Sequence, residues 1–215
     1  AVIAGQGTIG LEILAALPDC TVLVVPIGGG GLISGIAIAA KAIKPTLRVI
    51  GVQAAGCAPV RQSLNSGAPI TVPSAQTIAD GIAVKRPGDM TFAIINDLVD
   101  DVVEVTDDEI AQGIAHCVQH NRLVVEGAGA TSVAALLANK VLLRANDVAC
   151  AVLAGGNIDG NLLSRVIEQV MVRDGRYMLV KLAMVDRPGS LSPLIQLVAA
   201  NGANIIDIFH RRALW

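Results

Sequence analysis

Aromatic residues and clustered charge are both scarce in this chain of 215 residues. Phe, Trp and Tyr make up 2% of the chain and 53% of it is hydrophobic, so the core has to be built from aliphatic side chains. Such cores suit layered α/β proteins, in which helices pack closely on a sheet. The formal net charge is -2 at pH 7 and no long basic run occurs, which argues against nucleic acid as a partner.

Cysteines spaced for a zinc site or a disulfide framework are also absent. The four cysteines lie far apart and form no C-x-x-C pair, which predicts reduced, buried thiols in a cytoplasmic protein. His116 and His120 have the spacing of two zinc ligands on one helix face, but Cys117 stands where the H-E-x-x-H motif has its glutamate. A surface or structural role is therefore the better interpretation of the two histidines.

A membrane-spanning helix is not expected either. Residues 20–40 carry no charge and are numerous enough to cross a bilayer as a helix. The same stretch contains Pro26 and five glycines, four of them consecutive. A helix interrupted in this way would leave backbone groups unpaired in lipid, so we predict no membrane span.

Strand-like and helical patterns alternate along the first 170 or so residues. Continuous apolar strands that alternate with helices predict an α/β protein with a doubly wound parallel sheet. Thr106 and Glu109 have the T-x-x-E spacing of a capping box at a helix start. The predicted strands are residues 21–25, 47–53, 101–105 and 147–156. The predicted helices are residues 31–43, 58–67, 90–99, 106–121, 127–143 and 161–171.

A second pattern follows and predicts a separate small domain. Its predicted elements are a strand over 177–185, a helix over 190–202 and a strand over 203–212. A βαβ unit of this size can hardly bury its own faces. We therefore expect two domains, residues 1–172 and a truncated unit at 173–215, in a chain that is cut at both ends.

Four consecutive glycines at residues 28–31 stand between a predicted strand and a predicted helix. The first N–H groups of a helix lack intrahelical partners and lie at the positive end of its dipole, so they bind anions. Glycine lets the backbone approach a ligand closely. Because ordering four glycines is entropically costly, a ligand explains them better than packing does.

Two nucleotide-binding motifs fit this stretch poorly. A P-loop has Lys followed by Ser or Thr where this chain has Leu32 and Ile33, and a dinucleotide fingerprint has an acid where the second strand ends at Gln53. Residues 5–10, GQGTIG, do match G-x-G-x-x-G, but no acid follows at the expected distance. A lone match of this kind is weak evidence for a dinucleotide site.

The segment VVPIGGGGLISG, preceded by AVIAGQGTIGLEIL and followed by GVQAAG, resembles the pyridoxal-phosphate enzymes of the tryptophan synthase β group. The similarity is greatest to threonine/serine dehydratases and serine racemase. It continues through TIADGIAVKRPG, LVDDVVEVTDDEI, LVVEGAGATSVAALL and VLAGGNIDGNLLSRVIEQ. The resemblance implies the larger domain of a fold-type II pyridoxal-phosphate enzyme, incomplete in this chain, with pyridoxal 5'-phosphate as cofactor.

The same resemblance implies a set of site residues. Backbone N–H groups would hold the cofactor phosphate, and Ala154 would face the pyridine nitrogen. Glu126 would lie close to the cofactor, with a structural role as the alternative, and Gly81 would lend backbone near the substrate. The residues implied around the phosphate are Gly28, Gly29, Gly30, Gly31 and Leu32.

The chain departs from the family's pattern at three places. None of its five lysines lies in a context that matches the Schiff-base lysine, so we expect that lysine, and the catalytic residues, upstream of this chain. Ala154 replaces a Ser or Cys whose side chain meets the ring nitrogen. Residues 51–66 contain no Asp or Glu, so the divalent cation that some relatives bind there is not expected, and we predict no metal.

The second unit resembles the first half of an ACT domain, a small amino-acid-sensing module. The stretch DRPGSLSPL is similar to the turn of that domain, and NGANIIDIFHRR is similar to its second strand. The resemblance implies an effector site that uses Asp186, Gly189 and Asn204.

The resemblance implies an L-threonine/L-serine ammonia-lyase that converts threonine to 2-oxobutanoate and ammonia in isoleucine biosynthesis. An allosteric amino-acid effector and a homo-oligomer, dimer or tetramer, would be its partners, and this chain alone would be inactive. Two alternatives stay open: a serine racemase-like enzyme, and a non-catalytic module that binds an amino acid or phosphate.

Overall fold

The computed structural model describes residues 1–209 and divides the chain into two compact units. The first unit is Ala1–Tyr177 and the second is Met178–Trp215. The division thus falls five residues after the boundary predicted from sequence, beyond the end of the last helix of the first unit.

A parallel sheet and the helices around it make up the first unit. A short 3-10 turn, Asp80–Ile82, and a π-helical turn, Cys117–Asn121, lie between the longer elements. The strands are β1 (Val22–Pro26), β2 (Arg48–Ala54), β3 (Asp101–Val105) and β4 (Ala149–Ala151). The helices are α1 (Val2–Ala16), α2 (Gly31–Ile43), α3 (Pro59–Ser66), α4 (Asp89–Leu98), α5 (Asp107–His116), α6 (Gly127–Leu137) and α7 (Gly160–Arg173).

The strand order is β3-β2-β1-β4, with every neighbouring pair parallel. Val22 of β1 pairs with Arg48 of β2 on one side and with Ala149 of β4 on the other. The order therefore reverses between β1 and β4. In open α/β sheets, ligands bind in the crevice at such a switch point, outside the carboxyl ends of the strands.

Both faces of the sheet are covered by helices, as predicted. Leu23 and Val25 of β1 point into a core shared with α1, α2 and α4. Val22 and Val24 point into a second core shared with α5, α6 and α7. All four side chains are fully buried, because alternate residues of a strand covered on both sides face opposite layers. The predicted doubly wound parallel α/β fold is confirmed.

Glycines bring α1 and α2 into direct backbone contact. A Cβ at Gly35 of α2 would collide with the carbonyl oxygen of Ile3 and lie 2.7 Å from the nitrogen of Gly7. A Cβ at Gly10 would lie 3.0 Å from the carbonyl oxygen of Ile36. The GQGTIG segment lies inside α1 and follows no strand, so the possibility of a dinucleotide site there was wrong. Gly7 and Gly10 serve helix packing, whereas a Cβ at Gly5 would meet no atom within 4 Å.

Several elements are shorter than their sequence patterns predicted. The strand expected over residues 147–156 is three residues long, because β4 is an edge strand and the chain turns at Gly155, whose φ is 120°. The helix expected to reach residue 143 ends at Leu137, near Asn139 in the left-handed conformation. The predicted capping box is confirmed: Thr106 Oγ1 accepts from Glu109 N, and Glu109 Oε2 accepts from Thr106 N.

Asp147, in the loop before β4, contacts residues at the beginnings of β1 and β2. Its carboxylate accepts hydrogen bonds from Thr21 Oγ1 at 2.8 Å and from Arg144 N at 2.8 Å, and it pairs with Arg48 Nη1 at 3.1 Å. The Arg144 N–H first, and then the Thr21 hydroxyl and the nearby guanidinium, lower the pKa of Asp147 below its usual 3.8.

We expect Asp147→Asn to destabilise the chain in a pH-dependent way. A carboxyl whose pKa is lower in the folded state stabilises the fold above its unfolded pKa, and this contribution is lost as pH falls through the folded pKa. The variant should therefore have a lower free energy of unfolding than the unmodified chain. This difference is expected to be largest near pH 7 and to shrink below about pH 4. Urea unfolding from pH 7 to pH 3 measures it. Asp19→Asn is the control, since Asp19 is exposed. A difference that does not change with pH would contradict the prediction.

The described part of the second unit, residues 178–209, contains one helix, α8 (Leu191–Ala200), and no strand. The strand predicted over 177–185 is therefore not formed, and its apolar side chains, such as Met178 at 82% exposure, face solvent. A strand without a paired neighbour gains no ladder hydrogen bonds, which is the physical reason. The described part of the second predicted strand, 203–209, is also irregular, and 210–212 lie outside the described residues.

Candidate functional site

The tetraglycine loop lies at the carboxyl end of β1, at the switch point of the sheet. It leads directly into α2, whose N-cap Gly30 has φ 91° and provides no side-chain cap. Ser34 N donates to Gly30 O at 3.0 Å, which is the first hydrogen bond of the helix. Among the described residues, no backbone or side-chain acceptor is found for the six N–H groups of residues 28–33. Six adjacent donors at a helix N-terminus form a strong anion site.

Glycine is required at Gly30 and favoured at Gly28. A Cβ at Gly30 would lie 2.8 Å from Thr91 Cβ and 2.9 Å from Ile95 Cδ1, and φ there is in the left-handed region. A Cβ at Gly28 would lie 3.2 Å from Ile82 Cα, so it would narrow the space in front of the loop. The loop therefore lacks side chains at these positions because neighbouring elements approach its backbone closely.

A cleft of about 210 Å³ opens in front of this loop. It brings together every cofactor-site residue predicted from sequence, together with Gly81 and Glu126, although they come from four separate stretches of the chain. Sequence reasoning missed Pro26, Ile82 and Ala128, whose apolar surfaces carry no signal of a site. The lining residues are Pro26, Gly28, Gly29, Gly30, Gly31, Leu32, Gly81, Ile82, Glu126, Ala128 and Ala154.

Glu126 is the only ionisable side chain that lines this cleft in the described part of the chain. It is half-buried and is the N-cap of α6, and its backbone N–H donates to Gly155 O at 3.2 Å. A Cβ at Gly81 would lie 3.1 Å from Glu126 Oε1, and a Cβ at Gly155 would collide with that oxygen. The carboxylate thus lies between two glycines, without a hydrogen-bond or ion-pair partner in residues 1–209.

A second cavity of about 480 Å³ shares Glu126 as a wall with the cleft. Two further carboxylates line it, and both already accept backbone hydrogen bonds. Asp159 Oδ1 caps α7 by accepting from Asn161 N at 2.9 Å, and Asp80 Oδ1 accepts from Gly81 N at 2.8 Å. Glu126 is therefore the carboxylate of this region that remains available to a bound molecule.

No lysine in residues 1–209 lines the cleft or the second cavity. Lys41 pairs with Asp100 at 2.8 Å, and Lys44 Nζ donates to Cys20 O at 2.8 Å. Lys140 pairs with Glu109 at 3.4 Å. Of the other two, Lys85 donates to Pro73 O and Lys181 lies in the second unit. An amine for covalent attachment of a cofactor is thus not provided by this part of the site.

The other candidate groups lie away from the cleft. The rings of His116 and His120 stack on each other with centroids 4.5 Å apart. No group of three or more His, Cys, Asp or Glu side chains within residues 1–209 has an arrangement suited to a metal ion. No helix in the same residues is long and apolar enough to cross a membrane. Burial raises the pKa of all four cysteine thiols, so they are protonated and weakly nucleophilic at neutral pH; they are Cys20, Cys57, Cys117 and Cys150.

The sequence profile of the family described as "Pyridoxal-phosphate dependent enzyme" matches residues 1–155. The chain belongs to this family. The matched residues include the tetraglycine loop, Glu126 and Ala154, so the cleft lies within the family's own domain. Pyridoxal phosphate is accordingly the cofactor of this pyridoxal-phosphate dependent enzyme.

Two bacterial relatives match nearly the whole chain. The chain is 47% identical over 212 residues to the L-threonine ammonia-lyase of Thermotoga maritima. The matched region covers 99% of the chain and 52% of that protein. It is 49% identical over 211 residues to the L-threonine ammonia-lyase of Geobacter sulfurreducens, covering 98% of the chain and 52% of that protein. The chain therefore spans about half the length of these relatives.

Solved structures with the same fold include plant enzymes. Maize serine racemase superposes with a TM-score of 0.71 at 37% identity, over 80% of this chain and 54% of that one. The processed form of threonine deaminase isoform 2 from Solanum lycopersicum superposes with a TM-score of 0.72 at 36% identity, over 77% and 49%. The fold of this enzyme is thus shared with both a deaminase and a racemase.

The residues present fit the phosphate end of pyridoxal phosphate. A phosphate dianion needs several donors, and six adjacent N–H groups without an acceptor among the described residues, those of residues 28–33, lie at the positive end of α2. The absent Cβ at Gly28 leaves space on the side of Gly81 and Ile82, which line the cleft. Ala154 has no side-chain donor or acceptor for the ring nitrogen.

Proposed function

We propose that the tetraglycine loop binds the phosphate of pyridoxal 5'-phosphate, and that the enzyme is an L-threonine ammonia-lyase that forms 2-oxobutanoate and ammonia. L-Serine would give pyruvate by the same route. The observation that carries the proposal is the row of six N–H groups without a protein acceptor at the start of α2. The close similarity to two L-threonine ammonia-lyases over both units supports the choice of reaction.

When bound, the cofactor supplies an electron sink for the α-carbon of the amino acid. The loop of this chain would hold the phosphate by fixed dipoles, which stay in place at any pH because they carry no titrating group. Ala154 would present a methyl group to the ring, so the ring nitrogen would gain no hydrogen bond from that position. These features position the cofactor and contribute no proton transfer.

Glu126 is the group of this chain that would exchange a proton with a bound molecule. It lines both the cleft and the second cavity, and its carboxylate has no hydrogen-bond partner within residues 1–209. A carboxylate without a protein partner can accept a hydrogen bond or a proton from a molecule bound beside it. Gly81 and Gly155 leave room for it beside the substrate position.

The lysine that attaches the cofactor covalently is proposed to come from outside residues 1–215. None of the four lysines of the first unit lines either cavity, and the relatives are about twice as long. We therefore expect no turnover from this chain by itself.

A serine racemase activity is the second candidate, favoured by the similarity to maize serine racemase over 80% of the chain. The ammonia-lyases match 98–99% of it, including the second unit, which is why ammonia loss is the primary proposal. A module that binds phosphate or an amino acid without catalysis is the third possibility.

The second unit is proposed to sense an amino acid and to regulate the enzyme allosterically, as an ACT domain within a homo-oligomer. Its turn at residues 187–190 is closed by a hydrogen bond from Ser190 N to Arg187 O at 3.2 Å and contains Gly189 with φ 87°. Asp186 and Asn204 would be the effector contacts beside this turn. Isoleucine and valine are the effectors to titrate first.

A chimera tests the reaction. The N-terminal half of the Thermotoga maritima relative, joined to this chain, is expected to convert L-threonine to 2-oxobutanoate, whereas this chain alone should not. Pyruvate and D-serine formed from L-serine are measured in parallel. D-Serine as the dominant product would favour the racemase, and a folded chimera that binds pyridoxal phosphate without any turnover would favour the non-catalytic module.

A further inference from the structure

Thr91 contacts the tetraglycine loop from outside the cleft. It lies in the first turn of α4, and its hydroxyl donates to Gly29 O at 2.7 Å across a separation of 62 residues. Ser34 of α2 reaches back to the carbonyl oxygen of Thr91 at 3.4 Å. Thr91 thus joins α4 to the loop through its hydroxyl and to α2 through its carbonyl.

The bond from Thr91 determines the direction of one of the six free N–H groups. The C=O of Gly29 and the N–H of Gly30 belong to one planar trans peptide, so they point in opposite directions. Because the carbonyl points at α4, the N–H of Gly30 points away from α4. The cleft lies on that other side, since no residue of α4 lines it.

We propose that Thr91 is a positioning residue for phosphate binding. Its hydroxyl holds the Gly29–Gly30 peptide so that the Gly30 N–H faces the cleft. Without this bond, a peptide between two glycines can rotate at little steric cost, because both neighbours lack a Cβ. The inference rests on the proposed function, in which the loop binds the cofactor phosphate.

A purely helical role for the hydroxyl has to be separated from this one. Thr91 Oγ1 also lies 3.0 Å from Gly88 O, three residues earlier in the chain. A hydroxyl carries one hydrogen, and its shorter contact is to the loop. Thr8 of α1 provides the matched control, because its hydroxyl donates to Gly5 O at 2.9 Å, again three residues earlier, and to no loop.

The test measures phosphate recognition without covalent attachment. Calorimetry gives the Kd of the 215-residue chain for pyridoxine 5'-phosphate and for pyridoxine, neither of which has an aldehyde that could react with surface amines. The ratio of the two Kd values is the phosphate preference. Thr91→Val removes the hydrogen bond that orients the Gly29–Gly30 peptide. We expect this variant to have a phosphate preference about three- to tenfold lower than that of the unmodified chain. Thr91→Ser, which keeps the hydroxyl, and Thr8→Val should keep the preference of the unmodified chain.

The outcomes separate this inference from the proposed function. If the unmodified chain shows no phosphate preference, the phosphate site and the role of Thr91 both fail. If it shows one that Thr91→Val retains, or that Thr91→Ser loses equally, the role of Thr91 is overturned and the phosphate site stands. Should Thr91→Val not fold, titration of the unmodified chain with inorganic phosphate decides by NMR. The Gly30 amide resonance must then shift more than that of Ser34, whose N–H already has an acceptor; an equal shift overturns the inference.

Discussion

Replacing Gly30 with alanine is expected to abolish measurable phosphate binding and to lower the free energy of unfolding by about 2–4 kcal/mol. Gly30 has φ 91°, a conformation in which a Cβ is strained. The added Cβ would also lie 2.8 Å from Thr91 Cβ and 2.9 Å from Ile95 Cδ1. Since Ile95 is fully buried, the loop has to move instead, and its backbone N–H groups would lose their arrangement.

Calorimetry with pyridoxine 5'-phosphate and urea unfolding of the 215-residue chain measure the two effects. Gly29→Ala is the matched control for stability. A Cβ there meets no atom within 4 Å, and its φ lies outside the left-handed region. We expect that variant to unfold within about 1 kcal/mol of the unmodified chain. A Gly30→Ala chain that binds pyridoxine 5'-phosphate as tightly as the unmodified chain would show that the loop is not the phosphate site.

Gly35→Ala is expected to have the largest effect on stability, with a loss of about 3 kcal/mol or more in the free energy of unfolding. The added Cβ would collide with the carbonyl oxygen of Ile3 and approach Gly7 N to 2.7 Å. Both are backbone atoms of α1, which cannot rotate away as a flexible side chain would. The two helices must therefore separate, and the apolar contacts between them weaken.

The control for this prediction is Gly5→Ala, which makes the same chemical change on the partner helix. A Cβ at Gly5 meets nothing within 4 Å. Because alanine has a higher helix propensity than glycine, we expect Gly5→Ala to be neutral or more stable by up to about 1 kcal/mol. Urea unfolding of the two variants gives the comparison. If Gly35→Ala and Gly5→Ala had equal free energies of unfolding, the packing of α1 on α2 would not depend on close approach of their backbones.

Local signals in the sequence were enough to predict the strand–loop–helix unit around the tetraglycine. The helix predicted over 31–43 is α2, and the strand predicted over 101–105 is β3. The capping box at Thr106 formed as its spacing required. These elements depend on hydrophobic periodicity, capping residues and glycine, which act over a few neighbouring residues.

Predictions that depended on distant partners were less accurate. The edge strand β4 is shorter than its apolar run, because pairing with β1 alone and the turn at Gly155 limit it. The strand predicted over 177–185 did not form, because no neighbouring strand pairs with it in residues 178–209. The GQGTIG motif was ambiguous until two of its glycines, Gly7 and Gly10, proved to lie against α2. In each case the deciding interaction comes from another part of the chain.

By itself, the sequence determined the α/β class, the bare loop at residues 28–31 and the family resemblance that implied a phosphate ligand. Only the tertiary structure decided what surrounds that loop. It placed Glu126 between Gly81 and Gly155, and it brought Thr91 to the back of the loop. The physical reason is that a parallel sheet gathers the carboxyl ends of strands far apart in sequence at one edge, and no local pattern encodes which side chains meet there.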